Sequence, residues 1–181
     1  MYELYQAYFK HQCEIHPELL HKDELGARVF EMSSLEEAWG NARTQNLEKG
    51  IIFLLIDYSY GLGGPQAGDD RQLKQGGFLI AKHADNRENG SPATLAAIAT
   101  CEKIANQIAV KMIADSQNEH PLFNYSINTL QDMGWNAQVV REVGDGSYYG
   151  WLCVFDFSNY IDTCLGNEED ENWKQLTPHD L

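Results

Sequence analysis

The feature that most constrains this chain is an unbroken apolar run, Ile51-Ile52-Phe53-Leu54-Leu55-Ile56. It is short and rich in β-branched residues, which reads as a strand rather than a helix. A strand that is apolar at every position needs cover on both faces, so it belongs inside a sheet. The run opens at Gly50, and Asp57-Tyr58-Ser59-Tyr60 is expected to end it. A second strand is expected from Gly77 to His83, around Phe78-Leu79-Ile80-Ala81. Between them lies Gly61–Gly76, rich in Gly, Gln and Asp with Pro65 near its middle. A loop of that length in a compact domain is usually either functional or mobile.

Ser91-Pro92 is a strong helix start: Ser caps an orphan amide, and Pro sits where a missing N–H costs nothing. The helix should run to about Asp115, with Leu95, Ile98, Ala105, Ile108 and Met112 as its buried stripe. At 1.5 Å per residue it reaches roughly 37 Å. Beyond it, Trp135–Val143 alternates, with Trp135, Ala137, Val139 and Val143 on one face. Gly144-Asp145-Gly146-Ser147 makes a turn, and Tyr148–Phe157 returns with Trp151, Cys153, Phe155 and Phe157 on one face.

Upstream, residues 2–13 read as a helix with Leu4, Tyr5, Tyr8 and Phe9 on one side, limited by Pro17. Ala27–Met32 fits a short strand. Ser33 with Glu36, and Ser34 with Glu37, form overlapping capping boxes for a helix of about ten residues. The expected fold is α+β: a mostly antiparallel sheet of four to five strands from two hairpins, one long helix across it, and short N-terminal helices. One domain is expected over residues 1–165, with the N-terminal helices in 1–45 and the sheet and long helix in 46–165. Residues 166–181 are expected to be an acidic tail whose Trp173 either docks on its own chain, the favoured reading, or anchors a neighbour.

Charge narrows the partners. The 181 residues hold 13 Lys+Arg against 27 Asp+Glu, a formal net charge of −14, with no basic run. Such a surface repels phosphate backbones and anionic lipid, so neither sequence-specific nucleic acid nor a membrane is expected as partner. No cleavable apolar leader opens the chain, so synthesis in the cytoplasm is expected. The four cysteines form no C-x-x-C pair, and Cys101 and Cys153 lie in apolar patterns as core thiols do.

Reactive chemistry finds little footing. The Gly61-Leu62-Gly63-Gly64-Pro65-Gln66-Ala67-Gly68 loop follows a strand, yet it lacks the Gly-Lys-Ser/Thr ending and leads into another strand rather than a helix start. His11, His16 and His21 are spaced by five, which puts no two on one helix face, so no metal or cofactor is expected. In an antiparallel hairpin Asp57 and His83 stand at opposite ends and cannot act as an acid–base pair. Asp69-Asp70 reads as a solvated pair, and no G-x-S-x-G elbow occurs. The residues best placed to contact another molecule are Tyr60, Gly61, Gly63, Gly64, Pro65, Asp69, Asp70 and Arg71 in the loop, with Trp173 in the tail.

The element order resembles the tail-terminator, or tail-completion, proteins of tailed phages and prophages. The residues that carry the likeness are Ile51–Asp57, Gly77–Lys82, Glu102-Lys103-Ile104-Ala105-Asn106-Gln107-Ile108 and the aromatic strand Tyr149-Gly150-Trp151-Leu152-Cys153-Val154-Phe155. It spans about residues 45–160. The resemblance implies a non-enzymatic ring of identical subunits that contacts other tail or neck proteins, assembled in the bacterial cytoplasm and carried into a virion. Two other roles compete. One is a small ligand-binding domain or enzyme that uses a cleft beside the Gly61–Gly76 loop, with Asp57, Tyr58, Tyr60 and Asp69 as contacts. The other is an acidic inhibitor that mimics DNA toward a basic partner.

Overall fold

The computed structural model describes residues 2–23, 29–33, 50–62, 71–84, 90–123, 128–143 and 147–160. In chain order these hold α1 (Tyr2–Ile15), β1 (Phe30–Ser33), β2 (Ile51–Leu62), β3 (Arg71–His83), α2 (Pro92–Gln117), β4 (Asn136–Val143) and β5 (Tyr148–Tyr160). The strands form one five-stranded sheet in the order β1-β2-β3-β5-β4. β1 runs parallel to β2, and the other three pairings are antiparallel. The fold is therefore α+β with a mixed sheet and one long helix packed on it, as the sequence pattern implies.

Both faces of β2 are filled. Phe53 and Leu55 join Phe78, Ile80, Cys153, Phe155 and Phe157 in the main core, beneath Tyr5 and Phe9 of α1 and Ile104, Ile108 and Met112 of α2. Ile52 and Leu54 turn the other way and meet Leu79, Ala81, Val140, Val143 and Leu152. Both described helices thus cover one face, while on the opposite face Ile52, Leu54, Leu79 and Ala81 are buried and Ile56 and Val154 are partly so.

The start of α2 follows its sequence. The Ser91 side chain accepts from the Thr94 amide, and Pro92 occupies the first turn. Ala105, Ile108 and Met112 of its expected stripe are buried and Ile98 is partly buried, whereas Leu95 departs from it. Thr94, Ala97, Cys101, Ile104, Ala105, Ile108, Ala109 and Met112 face inward, while Leu95 is 54% exposed. The Thr94 hydroxyl donates to the Ser91 carbonyl at 2.9 Å. That bond satisfies the hydroxyl, so Thr94 can be buried and Leu95 faces outward.

Three further expectations need correction. β2 does not end at Asp57-Tyr58-Ser59-Tyr60 but continues to Leu62 through a bulge between Ile56 and Ser59. β3 begins at Arg71, before Gly77, so Tyr60, Gly61 and Arg71 are ladder residues, with Gly61 paired to Leu73 and Arg71 to Tyr160. Val143 does not share a face with Trp135 and Ala137. Glu142 has a φ of 58°, the ladder slips between Val140 and Val143, and Val143 turns to the second face. Gly63, Gly64, Pro65, Asp69, Asp70, the helix expected after Ser33-Ser34 and the tail with Trp173 lie outside the described residues.

The loop after α1 turns on one imidazole. His21 is buried, and its Nδ1 accepts from the amides of Val29 at 3.0 Å and Phe30 at 3.2 Å. The proton therefore sits on Nε2, which faces Asp23 at 3.3 Å without forming an aligned hydrogen bond. Burial lowers the His21 pKa below its ordinary 6.5; Asp23 and Glu14 oppose the shift and Lys10 adds to it. The unfolded chain thus takes up the proton first. The stability contributed by neutral His21 is complete above pH 6.5 and is lost as pH falls from there toward the folded value. Melting temperatures between pH 7 and 5 check this. His21→Asn, whose Oδ1 can accept in place of Nδ1, is expected to flatten the decline relative to wild type.

Candidate functional site

At the bulged end of the sheet, α1 closes the gap in the β2–β3 ladder. The Tyr5 hydroxyl accepts from the Gly77 amide at 3.1 Å and lies 3.0 Å from the Ile56 carbonyl. A helix side chain thereby occupies hydrogen-bonding positions that the bulge leaves open. Burial raises the Tyr5 pKa, so the phenol stays protonated. The Tyr5 ring stacks on Phe157 with centroids 5.6 Å apart and meets Tyr58 edge-on at 5.2 Å.

Lys74 enters this aromatic group. It is buried, with its ammonium 5.4 Å from the Tyr58 ring centre and 6.0 Å from that of Phe157. Both rings face the cation as cation–π pairs do. Burial holds the Lys74 pKa below the ordinary lysine value. At the rim, Tyr2 donates to Asp57 Oδ1 at 2.6 Å, and that bond pushes the Tyr2 pKa up to about 12. Asp57 and Tyr58, two of the residues assigned to a cleft by sequence, therefore hold α1 to the sheet. His83 is at the other end of the hairpin, where its amide donates to Gly50.

A second feature is a groove between α1 and α2. One part has a volume of about 360 Å³ and is lined by Leu4, Tyr8, His11, Lys111, Asp115 and His120. Past Gln12 and Ile15 it continues into a hollow of about 240 Å³ beside His16, Pro17 and Gln107. Its polar groups look reactive by type, yet most hold the structure together. Asp115 accepts from Tyr8 at 2.9 Å and pairs with Lys111. His16 Nδ1 accepts from the Glu18 amide while Nε2 faces Gln107 Oε1 at 3.0 Å. His120 Nδ1 accepts from the Leu122 amide. Each of these two imidazoles spends one nitrogen on a turn, as His21 does.

Nucleophiles are equally subdued. Cys101 and Cys153 are buried, and burial lifts both thiols to about 12. Cys13 is raised well above its ordinary value for the same reason. Thiolate, the reactive form, is scarce at such values. Among the described residues no three His, Cys, Asp or Glu side chains are grouped as metal ligands. No described helix is long and apolar enough to cross a membrane.

Sequence reading missed Tyr5, Lys74 and His21 as structural keystones. Each acts on residues distant in sequence, and only the amphipathic face of α1 signalled Tyr5. Compared with protein-family models, curated proteins and solved structures, the chain matches none.

Proposed function

We propose that this chain is a non-enzymatic assembly subunit of the tail-completion type, closing a ring with copies of itself and contacting neighbouring tail or neck proteins in a bacterial host. The observation that carries the reading is the outer edge of β4. β4 pairs with β5 on one side and, among the described residues, is the last strand of the sheet. Asn136, Gln138 and Arg141 are exposed along it, and Val139 is 39% exposed. An unpaired strand edge is a template for another chain, and a closed ring removes that liability. The structural use of the polar groups beneath α1 and in the α1–α2 groove supports a role in contacts rather than catalysis.

Light scattering coupled to size exclusion tests the reading. Wild type is expected to elute as one closed oligomer of several 20.5 kDa chains. Val139→Lys, which places a charge on the open edge, is expected to disperse that oligomer while far-UV circular dichroism stays unchanged. A wild-type monomer at every concentration, with no partner recovered among tail proteins, would overturn it.

A further inference from the structure

α2 is apolar on more than its buried side. Its solvent face carries Leu95, 54% exposed, and Val110, 66% exposed, with Ala99 between them. An open hollow of about 570 Å³ lies along this face against Ala99, Glu102, Lys103, Asn106 and Val110. A helix that is apolar around more of its circumference than its own core needs is expected to have a second neighbour.

The order of these residues identifies that neighbour. Leu95 and Val110, Ala99 and Asn106, and Glu102 and Lys103 are pairs whose members stand equally far from a point midway between 102 and 103. At 3.6 residues per turn all six fall within roughly 100° of arc. When two copies of such a face meet antiparallel about a two-fold axis, position 95 lies opposite 110, position 99 opposite 106, and 102 opposite 103. Each apolar end then meets the other, Ala99 permits close approach, and Glu102 faces Lys103 of the second copy twice over. This is the self-complementarity that an isologous interface requires.

We propose that the outer face of α2 is a two-fold docking surface for a second copy of this chain, with the reciprocal Glu102–Lys103 pairs setting its register. The proposal goes beyond the ring reading and does not depend on it. A ring is built on the β4 edge, whereas this contact joins chains in pairs. Lys103 already bridges to Glu18 at 2.6 Å, so across the axis Glu102 adds to an existing ion pair. A single helix pair covers less than the roughly 1,600 Å² of a standard interface, so the contact is weak and has to be measured over a wide concentration range.

The test uses charge exchange on the full chain in sedimentation equilibrium, with the Val139→Lys background removing any contribution from the β4 edge. In that background the chain is expected to associate to twice its 20.5 kDa mass. Glu102→Lys and Lys103→Glu each place like charges opposite one another and are expected to weaken pairing at least ~10-fold, equivalent to about 1.4 kcal/mol. An equimolar mixture of the two is expected to pair again, because each supplies the charge the other lacks. The double exchange, E102K with K103E in one chain, is expected to pair with itself. Val110→Glu is expected to abolish pairing in every combination. The Lys103–Glu18 bridge is partly exposed, and unchanged circular dichroism shows whether its loss is tolerated. If the mixture stays monomeric, or if Val110→Glu leaves pairing intact, the α2 surface is overturned. A Val139→Lys chain that stays monomeric at every concentration, while the wild type still forms the ring, would sink this proposal and leave the ring reading standing.

Discussion

Gly150→Ala is expected to be among the most damaging single substitutions in this chain. Gly150 lies in β5 between Ala81 of β3 and Val140 of β4, paired on both sides. A Cβ built there lands on the Ile80 carbonyl oxygen and comes within 2.7 Å of the Ala81 Cα. Both are backbone atoms, so no rotamer change makes room. Relief requires β3 and β5 to separate, and both carry core residues on their two faces. Overpacking by a methyl group costs about 1–3 kcal/mol where side chains can yield, and a backbone clash belongs at or above the top of that range. Urea unfolding of the two proteins checks it: the midpoint should fall sharply, or the variant should not fold at all. A midpoint within error of wild type would mean that β3 and β5 are not paired at this register.

Phe9→Ala is expected to cost about 3–5 kcal/mol, the range for emptying a large buried aromatic site. Phe9 has no exposed surface and touches the main core from α1. Its ring contacts Tyr5, Tyr8, Phe53, Phe78 and Phe155, with centroids 5.1–6.2 Å apart. The rings come from α1 and three different strands, so collapse around the cavity would require several elements to move together. Phe9→Leu, which keeps most of the volume, should recover much of the loss. Thermal melts of the three proteins would measure this. Equal melting temperatures for the wild type and the alanine variant would show that α1 does not belong to the cooperative core.

These residues also show what the sequence made legible. The Ser91-Pro92 helix start and the aromatic face of β5 rest on local rules, a capping hydroxyl and a period of two, and both appear where expected. Ala105, Ile108 and Met112 face the core as expected, but Leu95 does not, because apolar residues surround the first turns of α2 and Leu95 and Thr94 compete for the same inward position. The facing of Val143 was misjudged because the bulge depends on Glu142 at positive φ, a conformation with no glycine to announce it. The extension of β2 to Leu62 rests on Tyr5, 51 positions before Ile56, whose hydroxyl sits beside the bulge. The candidate site was legible only as residue types. Asp57 and Tyr58 were read as contacts of a cleft, whereas their partners are Tyr2 and Tyr5 of α1, and nothing local in the chain connects the two segments.

The strand order has a consequence for how the protein comes off the ribosome. β3, the middle strand, pairs on one side with β2, just before it, and on the other with β5, which is made only after α2 and β4. Until residues near 160 emerge, Phe78 and Ile80 lack Phe155 and Cys153, and α2 lacks one of the strands it rests on. Contacts between such distant segments form late and slowly. The growing polypeptide therefore carries an incomplete apolar layer through most of translation, and a stop codon or cleavage before β5 should leave a product that aggregates rather than a smaller stable domain.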